Sequence, residues 1–226
     1  MRPIFYIFAL LMSLLVSQPA QAGNGVCLDA FKRAKLPMLL DLDIKSIQPK
    51  LTYDYSKTRG ELKRMSGKHS HFTNIFVNGL TIAEFQSSIA GQFTILDLNN
   101  GYSCVWPNKV IGEMGYNHMQ VLIAKDFVVG SCEYNETLKH ENEHVQINYR
   151  TFNKYLLLSK NKLNTFIKTQ FPILVRSSNP DDAAISSINK QFYSIMKQME
   201  MERDGLNNAL DSPQNYDRIQ KKCENW

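Results

Sequence analysis

From Cys132 to Phe171 the chain contains neither glycine nor proline. A run of that length without either helix breaker predicts one long helix. Its apolar residues support this. Tyr134, Leu138, Val145, Phe152, Tyr155 and Phe166 recur at helical spacing, and Leu156 to Leu158 with Leu163 widen the stripe. Glu141 and Asn148 stand on the same face. Ser131 is a suitable N-cap, Glu133 and Glu136 suit a helix N-terminus, and Pro172 ends the run. A second helix start follows at Asn179-Pro180-Asp181-Asp182, with a cap residue, proline at the first helical position and acids in the first turn. Its stripe is Ile185, Ile188, Phe192, Ile195, Met199, Glu202, Leu206 and Ala209, which carries it to about Leu210. Two consecutive helices of this kind predict a helical hairpin over residues 131–226.

The first helix carries His140-Glu141-Asn142-Glu143-His144, an H-E-x-x-H pattern. Residues four apart lie on one face of a helix, one turn apart. Two imidazoles so placed can reach one Zn²⁺ at roughly 2.0–2.1 Å each. Glu141 then sits beside the metal without having to ligate it, where its carboxylate can take a proton from a water that attacks a carbonyl. Glu143 also completes H-x-x-E-H, in which the second carboxylate has that role; Glu141 is the preferred base. The competing explanation is a solvated helix face, because Lys139 to Glu143 is a polar run.

Residues 23–130 are strand-rich. Ile44 to Tyr55 alternates partly and predicts a strand pair or a long edge strand, with Pro49 arguing against a central position. Thr58 to Gly67 is a polar turn region. His69 and His71 form an H-x-H pair, more often exposed than ligating. Phe72 to Val77 predicts a strand, and Thr81 to Ala90 is ambiguous, because Thr81 and Glu84 can form a capping box. Gln92 to Leu98 and Tyr102 to Trp106 flank a hairpin turn at Asn99-Asn100-Gly101, with Pro107 expected to stop the returning strand. Val110-Ile111 and Met119 to Ala124 are further strand candidates. Strands first and helices second, without β-α-β alternation, predict an α+β fold with an antiparallel or mixed sheet packed on the helical hairpin.

Residues 1–22 have the pattern of a signal peptide: Arg2, an apolar run from Ile4 to Val16, and small residues before a cleavage point after Ala22. The run is shorter than the roughly 17–25 residues that span a bilayer. The expectation is export to a bacterial periplasm or extracellular space, with no membrane span left after cleavage and one domain over 23–226. Four cysteines, Cys27, Cys104, Cys132 and Cys223, suit two disulfides in an exported chain. The expected pairs are Cys104–Cys132 and Cys27–Cys223. A formal net charge of +5, spread over scattered basic pairs, argues against nucleic-acid binding.

A catalytic zinc takes three protein ligands and one open position. The phase of the second helix selects Glu202 as the third, since it interrupts an apolar stripe as Glu141 does. The E-x-x-x-D pattern from Glu200 to Asp204 selects Glu200, with Asp204 orienting a ligand histidine. Folding the hairpin back about residues 172–179 sets the histidines level with about 207–212 and selects Asp211 or Asn208. Glu202 is preferred, with Glu200 and Asp211 as alternatives.

Through His140-Glu141-x-x-His144 and Glu200-x-x-x-Asp204 the chain resembles zincin-type metallopeptidases. Ser131 to Val145 is more closely similar to a bacterial domain family of unknown function whose members are predicted to be secreted zinc-dependent proteases, a resemblance covering about residues 100–220. Tyr216-Asp217 matches an element of that family, while Lys222-Cys223 stands where its His-Gly would be, so the resemblance implies a carboxylate in place of the family's histidine. It also implies an edge strand beside the motif helix that binds extended substrate. The expected function is an exported zinc metallohydrolase acting on a peptide or protein. A peptidoglycan amidase would use the same chemistry. The alternatives are a non-catalytic, disulfide-stapled envelope protein and a purely structural zinc site.

Overall fold

The computed structural model describes residues 20–67, 77–99 and 101–226. In chain order the elements are α1 (Ala20–Arg33), β1 (Asp41–Ile47), β2 (Lys50–Asp54), α2 (Arg59–Met65), β3 (Gly79–Asp97), β4 (Ser103–Ile123), α3 (Cys132–Gln170), β5 (Ile173–Val175), α4 (Pro180–Leu210) and α5 (Pro213–Gln220). The fold is α+β. The first part of the expected leader, His69 and His71, and most of the strand expected from Phe72 lie outside the described residues.

The sheet is built around β4. The turn ending at Gly101 (φ +79°) folds β3 back on β4 as one long antiparallel hairpin from Asp97↔Ser103 to Gly79↔Ile123. Because β3 occupies one edge of β4 throughout, the remaining strands line the other edge end to end. β5 pairs with residues 103–105, β1 with 109–115 and β2 with 118–122. Both breaks in the β3–β4 register fall opposite the gaps in that row, at Gln92/Phe93 and Glu84/Phe85. Pro107 sits in the first gap. It lies at the register break, opposite Phe93 of β3, an irregular position where a strand tolerates proline, and β4 runs through it rather than stopping. Gly115 (φ +152°) borders the second gap, where a Cβ would collide with the Ile47 carbonyl.

Several expectations are corrected here. β1 and β2 run parallel to β4, so the sheet is not antiparallel throughout. Alternating burial selects a face, not a direction, and only a tight hairpin turn forces antiparallel neighbours. Ile44 to Tyr55 is two collinear edge strands interrupted at Gln48-Pro49. Thr81 to Ala90 is strand, inside β3. The region from Thr58 holds a helix whose capping box is complete: Thr58 Oγ1 accepts from Glu61 N at 3.2 Å, and Glu61 Oε2 accepts from Thr58 N at 2.7 Å. The disulfides are Cys27–Cys104 and Cys132–Cys223, with Cα separations of 5.3 and 5.7 Å. The first ties α1 to the start of β4, and the second ties the start of α3 to the segment after α5.

Helix α3 is 39 residues long and begins at Ser131, whose hydroxyl accepts from Tyr134 N at 3.2 Å. It returns through β5 into α4. Helix α4 starts at Pro180 without a side-chain cap from Asn179. Paired rungs set the register between the two helices. Lys162 donates to Gln198 at 2.8 Å and Lys154 donates to Glu202 at 2.6 Å. Ile188, Phe192, Ile195 and Met199 of α4 are buried, as are Phe152, Tyr155, Leu163 and Ile167 of α3. Tyr116, from the middle of β4, is fully buried and meets Phe152 of α3 edge-on at 6.1 Å. Its hydroxyl donates to Asn148 Oδ1 at 3.0 Å, and Asn148 Nδ2 donates to the His144 carbonyl at 2.9 Å. A buried amide on the apolar face is thereby satisfied, where leaving it unpaired would cost about 1–3 kcal/mol. Among the described residues, no helix is long and apolar enough to cross a membrane.

Candidate metal centre

His140 and His144 lie one turn apart on the buried face of α3, 6 % and 8 % exposed. Continuing the hairpin register, His144 lies level with Asn207 and His140 with Asp211. Asp211 is the C-cap of α4, where the chain leaves the helix for α5. Its Oδ1 lies 3.1 Å from both Nε2 atoms, which are 3.3 Å from each other. Three donors bonded to one ion at roughly 2.0–2.1 Å in tetrahedral directions would stand about 3.3 Å apart. The triangle has that size, and His140, His144 and Asp211 form a group that can hold a metal ion. Among the described residues no fourth histidine, cysteine or carboxylate joins it.

The supports of the two histidines differ. His144 Nδ1 donates to Asn207 Oδ1 at 2.9 Å, which leaves the Nε2 lone pair for the group. His140 Nδ1 is buried with no hydrogen-bond partner, and its ring lies 5.3 Å from that of Tyr216. Tyr216, on α5, donates its hydroxyl to Asp211 Oδ1 at 3.1 Å. α5 is placed for this by Ser212, whose Oγ accepts from Asn215 N, and by the Cys132–Cys223 bridge beyond it.

Glu141 is 4 % exposed and lies between α3 and the first residues of β3. Thr81 Oγ1 donates to its Oε2 at 2.7 Å and to its carbonyl at 3.1 Å. A Cβ on Gly79 would come within 2.6 Å of Glu141 Cγ and 2.8 Å of Thr137 Cγ2, so only glycine lets β3 lie this close. Burial raises the carboxyl pKa, and the His144 and His140 charges and the Thr81 bond pull it back in part. For His144, burial alone would lower the pKa. The bond to Asp211 and the charges of Glu141 and Asp211 outweigh that and lift it to about 9. Burial opposes ionisation of Asp211 too, but its bonds to both histidines hold it well below the usual carboxylate range.

Glu202 is not brought to the histidines. It bonds Lys154 at 2.6 Å and Tyr155 at 3.1 Å, ten residues along α3 from His144, or about 15 Å at 1.5 Å per residue. Glu200 is near Lys197 at 3.9 Å, and Asp204 pairs with Arg203 at 2.8 Å rather than orienting a histidine. Of the three candidates for a third partner, Asp211 is the one in the group. The phase of α4 identifies which residues face α3 but not their level along it, and the level decides here. Glu143 lines a separate groove with Arg150 and Arg218. Asn207 and Thr81 support the site without a sequence signature, since no local signal marks an asparagine or a strand threonine as a support for a distant helix.

The group and Glu141 open on a cavity of about 620 Å³, also lined by Val77, Leu80, Pro213, Ile219 and Trp226. Comparison with protein-family models, with curated proteins and with solved structures returns no match.

Proposed function

We propose that the protein is an exported zinc-dependent hydrolase, a peptidase of the zincin type. The single observation carrying this reading is a His-His-Asp triangle of ligand dimensions with one position open to a cavity that Glu141 also lines. Two nitrogens and one carboxylate oxygen are a donor set that suits zinc. Zinc held there with an open position would supply Lewis acidity and an acidified water. The remaining work falls to the chain. Glu141 accepts the proton from the attacking water and returns it to the leaving amine; its burial-raised pKa suits a group that must do both. Thr81 and Gly79 hold that carboxylate in place. Asn207 fixes the His144 ring, and Tyr216 fixes Asp211. Export accords with the leader pattern and the two disulfides.

The test is metal content and hydrolysis of the oxidised protein and four variants. About one zinc per chain is expected in wild type, Glu202→Ala and Glu141→Gln, with loss in His140→Ala and Asp211→Ala. Glu141→Gln should retain metal and lose casein or peptide hydrolysis by a factor of about 10² or more. A folded wild-type chain that takes up no zinc would overturn the reading. A closed, structural site is disfavoured by the lack of a fourth ligand among the described residues.

A further inference from the structure

The cavity beside the metal group is unequal in character. Glu141, Thr81 and the three donors are among its polar lining residues. Its apolar lining includes Val77 and Leu80 at the start of β3 and Ile219 and Trp226 after α4. Trp226 is held from several directions. Its ring meets Phe127 edge-on at 5.9 Å, its indole N–H donates to the Gln220 carbonyl at 2.9 Å, and Asn225 N beside it donates to Glu133 Oε1 at 3.0 Å. The Cys132–Cys223 bridge ties the same segment to α3. Val77, Leu80 and Trp226 all pack against one core cluster that includes Leu62, Val121 and Phe127. The wall is therefore preformed rather than assembled on binding, which lowers the cost of ordering a ligand against it. The volume of about 620 Å³ lies in the range of small-ligand sites and holds a large side chain with peptide on either side.

We propose that this wall is a specificity subsite for a large, uncharged apolar side chain of a peptide, seated against Val77, Leu80, Ile219 and Trp226 next to the scissile bond. The proposal rests on the hydrolase reading for its meaning, but the subsite itself can be tested without turnover. Among the described residues that line the cavity, the charged side chains are Glu141 and those of the metal group, so a lysine or glutamate seated against Val77, Leu80, Ile219 and Trp226 would be desolvated without a partner from them. A peptide is favoured over an acyl chain because Asn78, Thr137 and Asn208 also line the cavity and offer the polar partners that a peptide backbone requires.

The experiment follows the indole N–H resonances of the oxidised full chain by NMR, with and without zinc. Three probes are titrated: N-acetyl-phenylalanine amide, N-acetyl-lysine amide and octanoyl amide. Trp106 serves as the internal fold control, since its indole donates to the Leu39 carbonyl at 2.9 Å far from the wall. The expected result is a saturable shift of Trp226 with the phenylalanine probe, at least about tenfold weaker with the lysine probe. Ile219→Lys should weaken the phenylalanine probe by a similar factor, with Trp106 unmoved. If Trp106 moves, Ile219→Ala replaces it, with a smaller loss expected in the same direction. Equal binding of the phenylalanine and lysine probes, no shift at all, or tighter binding of octanoyl amide would overturn the subsite. Metal uptake is measured on the same samples, so a failure of the metal centre is distinguished from a failure of the wall.

Discussion

At the scale of single residues, the site depends on a close approach and on two hydrogen bonds. Gly79→Ala would place a methyl 2.6 Å from Glu141 Cγ, so Glu141 or β3 must shift. The expected outcome is a fall in hydrolysis of about tenfold or more with zinc content unchanged, since a small misplacement of a base is costly. Asn207→Ala should have the converse signature. Removing the acceptor of His144 Nδ1 is expected to weaken zinc affinity by about 10–100-fold, measured by competition with a chelator, and to leave Glu141 in place. The sequence made the two histidines and Glu141 legible because their relation is local: four residues on one helix settle it. It left Asp211 as one of three candidates, because a ligand contributed across a hairpin depends on the register of two helices, to which periodicity is blind. The folding-back estimate reached Asp211 because it addressed level; the stripe argument reached Glu202 because it addressed only face.

At the scale of elements, the two disulfides have different tasks. Cys27–Cys104 is fully buried and joins α1 to β4, away from the metal group. Cys132–Cys223 holds α5, with Tyr216 and Ile219, against the start of α3. Replacing both cysteines of either pair by serine should lower stability by about 2–5 kcal/mol in urea unfolding. Only the Cys132–Cys223 replacement should also weaken zinc binding, because it frees the segment that presents Tyr216 to Asp211; equal zinc affinity in the two double variants would refute this division. Helix α3 was legible from the absence of breakers and from its Ser131 cap, and α4 from its apolar stripe and from the proline and acids at its start. The pairing of cysteines was not, since an even count permits three connectivities. Strand direction was also hidden, because β1 and β2 reach β4 through a connection containing α2 rather than a tight turn.

At the scale of the molecule, the charges between the two helices make stability depend on pH when metal is absent. His144 has a pKa lifted to about 9 from an ordinary 6.5, so its contribution is complete below about 6.5 and is lost as pH rises through 9. Asp211 is held low, so its contribution is present above about 3.8 and lost as pH falls through its folded value. The difference in urea midpoint between the metal-free wild type and Asp211→Asn should therefore be largest between about pH 4 and 6.5 and shrink toward pH 9. Zinc must displace the His144 proton, so its apparent affinity should rise over that same upper range. The sequence by itself determined the two long helices, the β-hairpin turn and the histidine pair with its carboxylate, because each is specified by near neighbours through backbone propensity, turn chemistry and helical spacing. Only the tertiary structure decided the third member of the triangle, the parallel strands, the disulfide partners and the apolar wall beside the site. Each of these joins residues distant in the chain, and their meeting depends on how whole faces pack rather than on any local preference.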